Sequence, residues 1–219
     1  MAELFLVRHG QASFGSANYD KLSELGHQQS QHLGDYFASR GIVFDRTITG
    51  DMVRHRETAQ GIVGSLDSAE IDTGWNEFDF NAVVSAYLSV HPEQQPAKGA
   101  PRSDWYRVLK LAMLAWSEEK LPDLDEDWQG FETRVHNAAQ AVFKSSDKKV
   151  LVVSSGGAIA VCFMQMLGLQ IQKAIDFNLQ IKNTSVHHVF FNKNSAQLSS
   201  FNNVPHLDHP ERQHLITYS

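Results

Sequence analysis

The sequence predicts an α/β fold, a three-layer α/β/α arrangement around a mostly parallel central sheet. Two patterns and one bulk property predict it. Short apolar runs of strand type (residues 4–7, 47–49 and 150–153) alternate with longer segments whose apolar residues recur at helical spacing. Each run gives way within three residues to a glycine or small polar residue that opens a loop or a helix. A chain of 219 residues, 42% hydrophobic, can bury one large core, and a single domain is the simplest organisation.

The first strand is Leu4-Phe5-Leu6-Val7, and Arg8, His9 and Gly10 follow at once. Residues 11–20 are polar or small and read as a loop over the strand end. Ser23 then caps a helix whose Leu25, Leu33, Tyr36 and Phe37 share a face, and Gly41 ends it near C′. Residues 45–49 read as a second strand. Asp51 is the expected N-cap of a helix over 52–65, which puts Arg54 in its first turn. Residues 70–73 look like a short edge strand leading to Trp75-Asn76-Glu77-Phe78.

A helix over 82–90 is stopped by Pro92, and the segment 92–102 reads as an exposed loop. Trp105, Val108, Leu109, Ala112, Met113 and Trp116 then recur at helical spacing, with Trp105, Tyr106 and Trp116 expected in the core. The acidic stretch 121–127 reads as a solvated loop. Phe131, Val135, Ala138, Ala139, Val142 and Phe143 mark another helix. Residues 149–154 have the composition of a strand buried on both faces and run through Ser155-Gly156-Gly157 into an apolar helix reaching about 167. Strands over 184–191 and 198–204 complete the sheet.

A formal charge of -6 argues against nucleic acid or an anionic membrane surface as partner, since both call for basic patches. An acidic protein that binds an anion must concentrate positive charge locally, so individual arginines are informative. Cys162 is the only cysteine, which excludes an intrachain disulfide and a cysteine-based zinc cluster and suits a reducing, cytoplasmic setting. No apolar run reaches membrane-spanning length. His206, His209 and His214 could in principle hold a metal, but a solvated tail is the expectation there, and neither a metal nor a cofactor is called for.

Three strand ends offer polar groups: Arg8 with His9, Arg54, and Ser155 with the amides of Gly156 and Gly157. In open α/β sheets, ligands sit beyond the carboxyl ends of the strands. Two guanidiniums and a helix N-terminus meeting there would make an anion site, because Arg forks and free amides both favour phosphate-like oxygens. A neutral imidazole within it could attack phosphorus and carry the phosphoryl group covalently.

Leu6-Val7-Arg8-His9-Gly10 resembles the signature of the histidine phosphatase superfamily, the phosphoglycerate-mutase-like proteins. The segment Asp20-Lys21-Leu22-Ser23-Glu24-Leu25-Gly26-His27-Gln28-Gln29 is similar to a second family segment, and Gly50-Asp51-Met52-Val53-Arg54-His55-Arg56-Glu57-Thr58-Ala59 to the family's second-arginine motif. Asn76-Glu77-Phe78 matches its acid-donating region, and Ile181-Lys182-Asn183-Thr184-Ser185-Val186 its approach to a late strand. The resemblance implies one domain over residues 1–219 with a helical cap inserted at about 80–128. It implies His9 as phospho-accepting nucleophile, Arg8 and Arg54 as holders of the phosphoryl oxygens, and Glu77 as general acid, with Asp79 the nearby alternative. The substrate implied is a phosphorylated small molecule or phosphoprotein; oligomeric state is not legible.

One position departs from the family pattern. The last motif of the family ends Ser-His-Gly, and its histidine is the second imidazole of the phosphate pocket. Here Ser155 stands in that place, followed by Gly156. A hydroxyl donates a hydrogen bond but carries no positive charge. Ser155 and Gly156 are therefore counted among the phosphate-binding groups, with helix N-capping an alternative for Ser155. The substitution leaves three readings: a phosphatase of reduced activity, a site completed by another histidine, or a protein that binds a phosphorylated ligand without turning it over. A phosphoglycerate-type mutase fits less well, since Gln11-Ala12-Ser13 does not match the Asn and Ser that mutases carry after Arg-His-Gly. A nucleophilic Ser155 on a strand-turn-helix elbow fits least, since Val-Ser-Ser-Gly-Gly is not Gly-x-Ser-x-Gly.

Overall fold

The computed structural model describes residues 1–13 and 20–218, so most of the loop expected over 11–20 lies outside the described residues. Six strands form one sheet: β1 (Ala2–Arg8), β2 (Arg46–Thr49), β3 (Glu70–Ile71), β4 (Lys149–Ser154), β5 (Val186–Asn192) and β6 (Ser195–Asn203). Their order is β3-β2-β4-β1-β5-β6. The first four are mutually parallel, whereas β5 and β6 run antiparallel and close the far edge. In register, Arg8 faces Ser154 and Thr49 faces Val153, so three parallel strands end at the same level.

The strand sequences alternate between two cores because successive side chains point to opposite faces. Leu4, Leu6, Val150 and Val152 join the larger core, while Phe5, Val7, Leu151 and Val153 join the smaller. The smaller core is covered by α1 (Glu24–Ser39) and α2 (Val53–Val63) through Leu33, Phe37, Ala59 and Ile62. The larger is covered by α5 (Trp128–Phe143), α6 (Gly156–Leu167) and α7 (Ile171–Gln180), with α3 (Phe80–Val90) and α4 (Arg102–Ser117) joined to it through Val83, Tyr87, Met113 and Trp116. This is the three-layer arrangement expected from the sequence.

Local signals place most helices. Ser23 caps α1 by accepting the Gly26 N–H, and Gly41 takes φ +63 just past its end. Asp79 and Asp127 cap α3 and α5 in the same way. Three expectations need correction, and one helix stands where none was expected. Asp51 does not cap α2; it exchanges hydrogen bonds with Asn76, and the first-turn amide of Val53 donates instead to the Asp20 carboxylate at 2.8 Å. Trp105 is 42% exposed and lies outside the core, although Trp116 is buried. Helix α7, which packs against α6, follows no N-cap side chain and carried no clear sequence mark. The expected solvated tail holds for His209 and His214, which are exposed, but not for His206, which is buried with Leu207 and Leu215.

Candidate active site

The shared level of the β1, β2 and β4 ends brings the expected groups together. His9 sits directly beyond β1, and its amide donates to the Ser154 carbonyl of β4. The His9 Nδ1 lies 2.6 Å from the Gly10 carbonyl oxygen, an acceptor, so the proton resides on Nδ1 and the Nε2 lone pair is left for the pocket. Arg54 Nε donates to that Nε2 at 3.2 Å. Burial, then the guanidiniums of Arg54 and Arg8, hold the imidazole well below the ordinary histidine range, so the ring is neutral.

The backbone around His9 is held from several sides. The Gly10 N–H donates to Thr58 Oγ1, which in turn donates to the Arg54 carbonyl, tying the loop to α2. Gly10 lies against α1 so closely that a Cβ there would sit 2.6 Å from the Gly26 carbonyl oxygen. Asn183 Nδ2 donates to the His9 carbonyl at 3.1 Å. Thr184, at φ +52, sends its amide to the Arg8 and His9 carbonyls.

Arg8 and Arg54 are both buried. Arg8 Nη1 donates to the Ile181 and Tyr218 carbonyls. Arg54 Nη1 pairs with Asp20 at 2.7 Å, so one carboxylate both caps α2 and orients the guanidinium. Glu77 accepts the Gly157 N–H at 3.1 Å and the Phe78 N–H at 3.3 Å. Burial raises its carboxyl above the ordinary range, with the Gly157 amide and then Arg54 and Arg8 pulling the other way. Asp79, the alternative acid, is exposed and accepts the Ala82 N–H as the cap of α3.

Ser155 occupies the N-cap position of α6 but its side chain caps nothing there. Its Oγ lies 2.6 Å from His55 Nε2. The Gly157 amide is committed to Glu77, whereas Gly156 lies beside Arg8, its Cβ position 3.6 Å from Arg8 Nε. Nothing in the sequence marks His55 beyond its adjacency to Arg54 in the first turn of α2. The C-terminal contribution was also missed. Thr217 Oγ1 donates to Asn183 Oδ1, and Gln29 reaches the Leu215 carbonyl and Thr217, linking the end of the chain to the loop beyond β1. No group of three metal-ligating side chains stands together among the described residues.

A buried, neutral imidazole bonded by one guanidinium thus lies at the rim of the three-layer sheet, with the carboxyl of Glu77 on the Gly157 amide. The chain belongs to the histidine phosphatase superfamily, branch 1, whose sequence profile matches residues 4–204. It is a phosphatase of that type. A broad-specificity phosphatase of Saccharomyces cerevisiae is 24% identical over 216 residues, covering 93% of this chain and 86% of the yeast protein. Among solved structures, the H9A mutant of phosphoserine phosphatase from Entamoeba histolytica, in complex with phosphoserine, superposes with a TM-score of 0.68 at 18% identity. It covers 94% of this chain and 100% of that one. Phosphoglycerate mutase from Bacillus anthracis str. Sterne gives 0.64 at 19% identity, covering 94% of each chain. No helix among the described residues is long and apolar enough to cross a membrane.

Proposed function

We propose that the chain hydrolyses phosphomonoesters through a phosphohistidine on His9. The Nε2 lone pair attacks phosphorus as the ester P–O bond breaks, and Glu77 gives its proton to the departing oxygen. Water then attacks the phosphohistidine, the Glu77 carboxylate takes its proton, and the P–N bond breaks to release inorganic phosphate. Arg8 and Arg54 hold the equatorial oxygens, and Arg54 exchanges its hydrogen bond to Nε2 for one to phosphate. The observation that carries this reading is the 2.6 Å contact between His9 Nδ1 and the Gly10 carbonyl, which commits the other ring nitrogen to the pocket.

The substrate class is a phosphorylated small molecule, a reading supported by the family and by the activity named for the yeast relative. Residues at about 80–128, with α3 beginning three residues after Glu77, act as the cap that selects it. Cys162 is buried and its thiol is pushed up to about 12, so it stays inert. His9→Ala should abolish both turnover of p-nitrophenyl phosphate and incorporation of acid-labile phosphate; turnover retained in that variant would sink the assignment.

A further inference from the structure

The position where a pocket imidazole is expected, at the end of β4, carries a serine, and an imidazole from another element reaches it. His55 Nε2 lies 2.6 Å from Ser155 Oγ, across 100 residues of sequence. Both side chains are fully buried. The His55 ring centroid is 5.7 Å from that of His9, with 36° between the ring planes. Gly50 makes room for this ring, because a Cβ there would overlap His55 Nδ1. That Nδ1 has no hydrogen-bond partner among the described residues, so the contact to Ser155 is what orients the ring.

We infer that His55 and Ser155 act as one unit in place of the single second imidazole. His55 donates its Nε2–H to Ser155 Oγ, and the Ser155 hydroxyl donates in turn to the phosphoryl oxygen held by Arg8 and Arg54. Ser155 touches the phosphate; His55 is a positioning residue. The inference rests on the phosphohistidine reading of His9. The arrangement supplies a donor without a third cation beside two guanidiniums, and burial together with Arg54 keeps the His55 ring neutral. A histidine introduced at 155 alone would collide with His55, so Ser155→His by itself should not raise the rate. A nucleophilic Ser155 is disfavoured by the same geometry, since no carboxylate orients His55 through Nδ1 among the described residues.

The test is a set of variants assayed for kcat/KM with p-nitrophenyl phosphate and for inhibition by orthovanadate. Ser155→Ala and His55→Phe should each lower kcat/KM by about 10²-fold, the scale of one transition-state donor. The double variant should fall no more than about threefold below either single one, as expected of residues acting as a unit. His55→Gln, which keeps a donor, should stay within about tenfold of the wild type, and the swap His55→Ser with Ser155→His should recover most of the loss. The vanadate Ki should rise in step with the fall in kcat/KM, a link a purely structural role would not give. His55→Phe within about threefold of the wild type, a double loss equal to the product of the singles, or a folded swap no better than the singles would each overturn the inference. If His55→Phe does not fold, Ser155→Ala, His55→Gln and the swap carry the test. An inactive His9→Ala beside fully active His55 and Ser155 variants removes this inference alone; an active His9→Ala removes the reading beneath it.

Discussion

At the scale of single residues, the two pKa displacements work toward one pH window. In the proposed mechanism His9 must be neutral to attack, and its pKa is lowered, so activity from this group is lost only as pH falls through that lowered value. Glu77 must be protonated to donate, and its pKa is raised, so activity is lost as pH rises through that value. The expected profile of kcat/KM is bell-shaped with its optimum on the acid side of neutrality. Glu77→Gln should lower kcat by about 10²- to 10³-fold for an alkyl phosphate, less for p-nitrophenyl phosphate, whose leaving group needs little protonation. The alkaline limb should flatten in that variant; a limb that persists unchanged would assign the acid elsewhere.

At the scale of elements, the site depends on how closely α1 approaches the loop beyond β1. Gly26 lies in the first turn of α1, where a Cβ would run into the backbone of Gln11. That neighbour is main chain and follows His9 by two residues, so it cannot move without shifting His9. Gly26→Ala would gain helix propensity yet should destabilise the fold by about 1–3 kcal/mol and lower kcat/KM, measured by urea midpoint and assay. A stabilised, fully active variant would show that the loop has slack. Capping tells a related story. Ser23 was legible as a cap; Asp79 and Asp127, read as an alternative acid and as loop, bond an amide three residues on in the same way. Asp20 was not legible as the cap of α2, because it reaches Val53 across 33 residues.

At the scale of the molecule, the buried histidines make stability depend on pH. His187 and His206 are both held at about 3 by burial, so they remain neutral in the folded chain while the unfolded chain takes up protons below the ordinary value of 6.5. The unfolded state then binds more protons, and stability falls as pH drops from 6.5 toward 3. Each such group should remove about 2 kcal/mol between pH 7 and pH 5. His187 accepts the Asn202 N–H on Nδ1 and contacts Ser185 Oγ through Nε2. His187→Gln should therefore be less stable at pH 7 but lose about 2 kcal/mol less on going to pH 5, read from urea midpoints at the two pH values. An unchanged pH slope would mean that His187 titrates alike in both states.

The sequence alone determined where most strands and helices lie along the chain, the burial of β4 on both faces, and the expectation that Arg8, His9, Arg54 and Ser155 gather at one rim. Those follow from local periodicity, from caps within three residues, and from the rule that parallel strands deliver their following residues to the same edge of the sheet. Only the tertiary structure decided that Glu77 accepts the Gly157 amide while Asp79 caps α3, that Asp20 holds Arg54, and that the end of the chain supports the loop beyond β1. It also decided that His55 stands beside Ser155. Such pairings depend on distances between side chains brought together from far along the chain, and no period or spacing in the sequence encodes a distance of that kind.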